Sequence, residues 1–331
     1  MSWRVTAPRI TIAGAGSIGC FVGAVLCDAG FDVRFLARAR VIEQVVLRGL
    51  NLTDFDGLDL RVASIAATDD PETALTGADL VLVCVKSGDT EAMGRLIAIH
   101  APETQVISLQ NGVGNAAVLR RVLPSADVRA AMVPFNVVSR GPGQYHRATS
   151  GDILVEAGPM PDLSSAHLTW QAVDNIEAIQ WGKLLINLGN AVNALADMPL
   201  LEQLQDRAWR RVLADLMTEA LRILRVAGIT PAKTTAAPPH IIPHILRLPT
   251  PLFRVVAASM LTIDAHARSS MWDDLKQGRK TEIDALQGAI LDLAERHGRQ
   301  APLNARMRAL VRAAEDADAG PPGLTASDIR A

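Results

Sequence analysis

Residues 10–19, Ile10-Thr11-Ile12-Ala13-Gly14-Ala15-Gly16-Ser17-Ile18-Gly19, contain the pattern that decides the fold of this chain. The β-branched run before the glycines predicts a strand, and apolar residues recur at helical spacing after them. The absence of a side chain allows a tight turn at Gly14, lets a pyrophosphate approach the backbone at Gly16, and lets the helix pack closely on the strand at Gly19. We therefore expect this loop to bind a dinucleotide rather than to be a glycine-rich turn without a ligand. The binding residues predicted are Gly14, Ala15, Gly16, Ser17, Ile18 and Gly19.

Short apolar runs continue through the first half of the chain. Strand-like segments cover residues 33–36, 80–85 and 106–109, with helical patterns between them, and further β-rich stretches cover residues 128–138 and 144–156. Strands that alternate with helices predict a mostly parallel, doubly wound sheet. The predicted fold class is therefore α/β, beginning with a Rossmann nucleotide-binding domain.

The second half has helical periodicity. Predicted helices cover residues 181–196, 202–227, 251–267, 272–297 and 302–314. We expect an NADP-binding domain over residues 1–178, an all-α substrate and dimerisation domain over residues 179–315, and a mobile tail over residues 316–331. Residues 231–251 contain six prolines, so long regular structure is not expected there.

The composition excludes several functional classes. Of the 331 residues, 49% are hydrophobic and 21% are charged, and the formal net charge is −2. We expect neither a nucleic acid nor a membrane as a partner, because no block of like charge stands out. The apolar stretch 184–201 contains three asparagines and one aspartate, which would be costly in lipid, so it is predicted to be a buried helix.

Cysteine usage and the N-terminus indicate the cytoplasm. The three cysteines are an odd number and contain no C-x-x-C pair, which argues against a disulfide framework. The first residues do not have the pattern of a signal peptide. No metal is expected, because His240 and His244 flank Pro243 and lack an evident third ligand.

The end of the second predicted strand indicates which dinucleotide binds. NAD sites usually place a carboxylate there to hold the ribose 2′-hydroxyl. This chain instead has Arg38 and Arg40, and a guanidinium can pair with a 2′-phosphate. The sequence therefore favours NADP(H), the alternative being that both arginines are solvated surface charges.

Lys183, Asn187 and Asn190 share one face of an otherwise apolar predicted helix. Such a polar stripe either hydrogen-bonds neighbouring helices or lines a wet, polar site. In a polar site, the ammonium of such a lysine could stabilise and protonate an oxygen on which negative charge develops. The alternative is a snorkelling lysine with structural asparagines.

Asn111 and Glu282 are further candidates. Asn111 follows a predicted strand, where doubly wound sheets bind ligands, but Asn-Gly is also a common turn signal. Glu282 borders the apolar face of a predicted helix, either in the site near Lys183 or in a surface salt bridge with Arg279 or Lys280.

These residues lie in motifs that resemble those of the ketopantoate reductases, or 2-dehydropantoate 2-reductases. The resemblance runs from the glycine loop to about residue 314. Its other segments are Val83-Cys84-Val85-Lys86, Gln110-Asn111-Gly112-Val113-Gly114, Trp181-Gly182-Lys183-Leu184-Leu185-Ile186-Asn187, Ser269-Ser270-Met271 and Lys280-Thr281-Glu282-Ile283-Asp284. The resemblance implies a Rossmann domain followed by a helical domain, as in 6-phosphogluconate-dehydrogenase-like folds. It also implies NADPH-dependent reduction of 2-dehydropantoate to (R)-pantoate, on the route to pantothenate and coenzyme A.

The resemblance assigns roles residue by residue. Lys183 would be the general acid, and Glu282 would contact the substrate hydroxyl and orient the site. Asn111 would lie near nicotinamide and substrate. Asn187 would bind the substrate hydroxyl and Ser270 its carboxylate. Arg38 and Lys86 would bind the 2′-phosphate end of the cofactor.

Two positions depart from the family pattern. Gly88 stands where an aromatic residue is usual, and Ala191 stands where the family often has a second asparagine. One alternative is therefore a related NADP-dependent dehydrogenase acting on a different small keto acid or imine. Another is an NADPH-sensing binding protein without catalysis. A homodimer is an expectation from the long apolar helices.

Overall fold

The computed structural model describes residues 8–261 and 266–330. The chain divides into two compact units, Met1–Ile176 and Glu177–Ala331. The first unit alternates strands and helices, as expected for a chain whose apolar runs are short and separated by turn residues. Its elements are β1 (Arg9–Ala13), α1 (Ser17–Asp28), β2 (Asp32–Leu36), α2 (Ala39–Arg48), β3 (Leu50–Asp54), β4 (Asp59–Val62), β5 (Ala66–Thr68), α3 (Pro71–Leu75), β6 (Leu80–Val83), α4 (Thr90–His100), β7 (Gln105–Ser108), α5 (Asn115–Val122), β8 (Asp127–Met132), β9 (Val137–Gly141), β10 (Gln144–Arg147), β11 (Ile153–Glu156) and β12 (Trp170–Val173).

The main sheet has eight strands in the order β12-β11-β8-β7-β6-β1-β2-β5. From β8 to β5 all neighbours are parallel, and β11 runs antiparallel to β8. Strand order therefore reverses between β1 and β6. The predicted doubly wound, mostly parallel sheet is confirmed.

A second, four-stranded sheet has the order β4-β3-β10-β9. It contributes Leu50 and Leu52, both fully buried, to the core that also contains Phe21 and Phe35. Helix α1 packs closely on the main sheet because Gly23 leaves room for the Phe35 ring, with which a side chain at that position would overlap. The small sheet and the strand–helix layers thus share one hydrophobic core.

The second unit is helical, as predicted. Its elements are α6 (Ile176–Asn187), α7 (Gly189–Ala196), α8 (Leu200–Gln205), α9 (Arg207–Val226), α10 (Ile242–Arg247), α11 (Thr250–Val256), α12 (Ser270–Lys276), α13 (Ala289–Arg296), α14 (Pro302–Ala317) and α15 (Ala326–Arg330), where α6 begins one residue before the unit boundary. A π-helical turn at Asp284–Gly288 precedes α13. No helix in the described part of the chain is long and apolar enough to span a bilayer.

Several predicted helices are broken in the structure. The helix predicted over residues 202–227 is interrupted at Asp206, whose carboxylate caps α9 by accepting the Ala208 N–H at 2.7 Å. The helix predicted over residues 272–297 ends near Gly278, which adopts a left-handed φ of 60°. The one predicted over residues 251–267 ends at Val256, and residues 262–265 of it lie outside the described residues. In each of the first two cases a local cap replaced helix continuation.

The tail predicted to be mobile instead packs on the helical unit. Ile329 in α15 is fully buried. Arg306 of α14 donates to the Ile329 carbonyl at 2.7 Å and to the Asp328 carbonyl at 2.6 Å. The buried Ile329, the hydrogen bonds from Arg306 and an ion pair between Arg330 and Asp215 thus hold a segment whose composition suggested mobility.

The proline-rich segment 231–251 contains only the short helix α10 as regular structure before α11 begins. It is held by Arg210, a fully buried side chain of α9. The Arg210 guanidinium donates to the carbonyls of Leu246 and Leu248 at 3.1 and 3.0 Å and stacks on the Phe253 ring at 4.2 Å. Hydrogen bonds from this buried guanidinium to backbone carbonyls thus hold a segment that has little regular secondary structure.

Candidate active site

The glycine loop lies between the ends of two strands that flank β1. The Gly14 N–H donates to the Leu36 carbonyl at 3.0 Å, and the Cys84 N–H donates to the Ala13 carbonyl at 2.8 Å. The loop is therefore anchored to the ends of β2 and β6, at the point where strand order reverses.

The three glycines of the loop meet different surroundings. Gly14 has a φ of 111°, and a Cβ there would lie 2.7 Å from the Val85 nitrogen. A Cβ at Gly19 would overlap the Gly14 carbonyl oxygen, whereas a Cβ at Gly16 would meet no atom within 4 Å. Gly14 and Gly19 are thus required by the fold itself, and Gly16 leaves open space in front of the backbone.

That open space lies at the N-terminus of α1. Gly16 is the N-cap in an extended conformation, it provides no side-chain cap, and the first turn of α1 carries no acidic residue. The N–H groups of a first helical turn have no acceptor within the helix and attract anions. These residues fit the diphosphate of a dinucleotide.

Arg38 and Arg40 are exposed beside this loop, just beyond the end of β2. Arg38 is the N-cap of α2, whose first turn also contains no acidic residue. Among the described residues, neither arginine forms a salt bridge. Both guanidinium groups are thus available to an anionic ligand.

Lys86 and Asn111 follow the neighbouring strands β6 and β7, and both are partly buried. The Asn111 carbonyl accepts the Asn115 side-chain amide at 2.8 Å and the Ser87 hydroxyl at 3.2 Å. The turn that carries Asn111 is therefore tied to the turn that follows Lys86.

A buried polar network beneath these turns was missed by the sequence analysis. The Gln110 amide donates to the Val85 carbonyl at 3.0 Å and to the Thr90 hydroxyl at 2.7 Å. The Thr90 hydroxyl in turn lies 2.9 Å from the carboxamide oxygen of Asn115. The sequence signal that could have revealed this network is a set of polar residues within segments that are otherwise apolar enough to be buried, because buried polar groups require hydrogen-bond partners.

Gly88, one of the two departures from the family pattern, is exposed, and a Cβ there would meet nothing within 4 Å.

Lys183 lies in the middle of α6, next to the buried Leu184 and Leu185. Burial lowers the pKa of Lys183 to about 8, while the negative charge of Glu282 acts in the opposite direction. Desolvation disfavours the ammonium, and the carboxylate partly restores it. The structure therefore brings together Lys183 and Glu282, which are far apart in the sequence.

The cations that could have held Glu282 in a surface salt bridge have other partners. Arg279 pairs with Asp274 at 2.9 Å, and Lys280 pairs with Glu315 at 3.4 Å. Glu315 also accepts the Thr281 N–H at 2.7 Å, which fixes the turn before Glu282. This turn leads directly into the π-helical turn at Asp284–Gly288.

Asn187 is the last residue of α6. Ser269, which precedes Ser270, is hydrogen-bonded to α7, the helix that follows α6. The Ser269 hydroxyl donates to the Asn190 carbonyl at 3.0 Å, and the Ser269 N–H donates to the Asn193 side chain at 2.8 Å. Ser270 is exposed as the first residue of α12. Ala191, the departure from the family pattern, is fully buried.

Asp197 is a second feature that the sequence analysis missed. Its carboxylate accepts the Trp272 indole N–H at 2.7 Å and pairs with Arg268 at 3.2 Å. The Arg268 guanidinium stacks on the Trp272 ring at 4.4 Å. This clamp joins the end of α7 to the start of α12 and fixes the backbone on both sides of Ser270.

The topology by itself defines a class of protein. Doubly wound sheets bind dinucleotides where the strand order reverses, and here that point carries the glycine loop. The helical unit contains Lys183, whose pKa of about 8 is in the range of side chains that can donate a proton near neutral pH. The chain is a nicotinamide-dependent oxidoreductase.

Comparison with known proteins identifies the family. The family model described as ketopantoate reductase PanE/ApbA matches residues 10–159, and the model of its C-terminal domain matches residues 175–315. The chain belongs to the ketopantoate reductase family, as its motifs predicted.

Individual relatives agree over nearly the whole chain. A 2-dehydropantoate 2-reductase of Halobacterium salinarum is 29% identical over 319 residues, which cover 93% of this chain and 99% of the relative. The crystal structure of a PanE/ApbA family ketopantoate reductase from Ralstonia eutropha JMP134 is 30% identical, has a TM-score of 0.79, and matches 94% of this chain and 99% of its own. D-mandelate dehydrogenase, in a ternary structure with NADH and anilino(oxo)acetate, shares the fold at a TM-score of 0.79 and 21% identity, over 94% of this chain and 99% of its own.

Proposed function

We propose that this chain reduces 2-dehydropantoate to (R)-pantoate with NADPH. The observation that carries the proposal is the partly buried Lys183, whose pKa is lowered by desolvation to about 8 while the charge of Glu282 acts to raise it. A proton donor is most effective when its pKa lies near the working pH. NADPH would supply the hydride, and the Lys183 ammonium would stabilise the developing alkoxide and protonate it.

Glu282 acts on Lys183 rather than on the proton directly. Its negative charge raises the pKa of Lys183, so that the ammonium persists near neutral pH despite burial. Asn187 would bind the substrate hydroxyl, Ser270 its carboxylate, and Asn111 would lie at the nicotinamide. The buried network around Thr90 supports this role of Asn111, since it holds that turn in place.

The choice of NADPH rests on Arg38. A protein of the same fold, D-mandelate dehydrogenase, forms a complex with NADH, so the fold alone does not select the dinucleotide. Arg38 is exposed at the N-terminus of α2, where both its guanidinium and the helix dipole would favour a 2′-phosphate. Lys86, partly buried at the end of β6, would add a second cation.

A related dehydrogenase that acts on a different small keto acid or imine is the second candidate. It is favoured by Gly88, which leaves open space where the family usually has an aromatic ring, and by Ala191, which is buried where a second asparagine is frequent. The lysine–glutamate pair argues against the other alternative, an NADPH sensor without catalysis, because binding alone requires no proton donor.

A substrate panel tests the proposal. NADPH oxidation would be followed with 2-dehydropantoate and a series of other 2-keto acids and cyclic imines, ranked by kcat/KM. We expect 2-dehydropantoate to be among the best substrates. A different keto acid or imine far ahead of it would support the second candidate, and no oxidation with any compound would support the sensor.

A further inference from the structure

Asn193 is a fully buried residue of α7, and its side chain uses both its amide hydrogens and its oxygen. The amide donates to the Met198 carbonyl and to the Gln203 side-chain oxygen, both at 2.9 Å. The oxygen accepts the Ser269 N–H at 2.8 Å. Asn193 therefore joins α7 to α8 and to the residue that caps α12.

Ser269 is bonded to α7 through its side chain as well as through its backbone. Its hydroxyl donates to the Asn190 carbonyl at 3.0 Å and accepts the Trp272 N–H at 3.1 Å, which caps α12. Asn190 and Asn193 are three residues apart and lie on the same side of α7. Helix α7 thus determines where α12 begins.

Ser270 directly follows this anchored residue and is exposed at the first position of α12. One residue separates α6, which contains Lys183, from α7, which holds Ser269. A 2-keto acid carries its carboxylate on the carbon next to the carbonyl. A ligand for that carboxylate and a proton donor for that carbonyl must therefore keep a fixed spacing.

We propose that Asn193 is a positioning residue for the substrate carboxylate, acting through the backbone of Ser269 on the adjacent Ser270. The inference rests on the proposed function, in which Ser270 binds this carboxylate and Lys183 protonates the carbonyl oxygen. Without Asn193, Ser270 would keep its hydroxyl, but the preceding N–H would lose the acceptor that fixes its place on α7. A carboxylate ligand displaced in this way binds the substrate less well, although its chemistry is unchanged.

A comparison of two substrates isolates the carboxylate contact. 2-Dehydropantoate and its neutral carboxamide differ in charge but little in shape, and hydrogen bonds to a carboxylate are the stronger ones. The ratio of their kcat/KM values with NADPH, here called the acid-to-amide ratio, would be measured in the wild type, Asn193→Leu, Ser270→Ala and the double variant. The control is Asn304→Leu, which removes another fully buried asparagine of the same unit, whose amide donates to Glu219 at 2.8 Å.

We expect Ser270→Ala to lower the acid-to-amide ratio about tenfold, because a hydrogen bond to a charged group is lost. Asn193→Leu should lower the ratio by a similar factor. The double variant should lower it no further than Ser270→Ala alone, because both substitutions act on one contact. Asn304→Leu should lower the melting temperature, as Asn193→Leu does, but leave the ratio unchanged. Multiplied losses in the double variant, or an unchanged ratio in Asn193→Leu, would show that the inference is wrong.

A second variant covers the case in which Asn193→Leu does not fold. Asn193→Ser has a smaller, polar side chain that does not reach as far toward the Ser269 N–H, and it should give the same loss of the acid-to-amide ratio. Failure of the proposed function would be seen separately, as no oxidation of NADPH by the wild type with 2-dehydropantoate or as an unchanged ratio in Ser270→Ala. Either result would also overturn the inference, because it removes the contact through which Asn193 acts.

Discussion

The glycine loop of the first unit and the lysine–glutamate pair of the second unit are built in opposite ways. The loop acts through its backbone, since Gly14 and Gly19 have no room for a side chain and Gly16 leaves space open. The pair acts through two side chains, and the property that matters, the lowered pKa of Lys183, comes from burial. Substitutions in the two regions should therefore impair different steps, binding in one and proton transfer in the other.

The largest effect is expected for Lys183→Met, which keeps the apolar stem and removes the ammonium. General acid catalysis typically contributes 10²–10⁴-fold, so kcat should fall by about a thousandfold. The dissociation constant for NADPH, measured by fluorescence titration, should change less than about twofold, because the proposal assigns the lysine to the chemical step. Lys276→Met removes an exposed lysine of the same unit and should leave both quantities unchanged. Full activity of Lys183→Met would remove this residue from the mechanism.

Arg38→Ala tests the part of the first unit that acts through a side chain. Hydrogen bonds to charged groups contribute about 1.5–3 kcal/mol, so kcat/KM for NADPH should fall by about 10–100-fold. The value for NADH, which has no 2′-phosphate, should stay constant. Arg48→Ala, at the opposite end of α2, serves as the control. An equal loss with both cofactors would contradict NADP selection by Arg38.

Two glycine substitutions separate folding from binding within the loop. Gly16→Ala should leave the melting temperature of the free protein unchanged, since its Cβ meets no atom within 4 Å, but should weaken NADPH binding by about tenfold. Gly19→Ala should lower the melting temperature by several degrees, because overpacking costs about 1–3 kcal/mol. Thermal denaturation with and without NADPH measures both. Normal NADPH binding by Gly16→Ala would show that the open space is not used by the cofactor.

The difference between the glycine loop and the lysine–glutamate pair also explains what could be predicted from the sequence. The glycine loop and the parallel sheet were predictable because they depend on local spacing and on residues that few others can replace. The helix break at Asp206 and the packed α15 were missed, because a capping carboxylate and a single buried Ile329 leave weak local signals. The Asp197 clamp was missed because its partners Arg268 and Trp272 are distant in sequence.

The sequence could nominate Lys183 and Glu282 through the family motifs, but it could not assign their physical state. The pKa of Lys183 depends first on how completely the folded chain excludes water from it and then on the carboxylate that folding brings near. Neither quantity is a property of α6 alone. A polar stripe on an apolar helix is compatible with a snorkelling lysine until the surroundings are known.

The pH dependence of kcat/KM tests the account most directly, because it reports the ionisation of the free enzyme. In the proposed mechanism the ammonium of Lys183 is the active form for reduction, so kcat/KM in the wild type should be constant at low pH and decline above a midpoint of about 8. Glu282 raises the pKa of Lys183, so Glu282→Gln should move this midpoint to lower pH, by about one unit. The same midpoint in both proteins, or no decline below about pH 10, the range of an unperturbed lysine, would contradict the account.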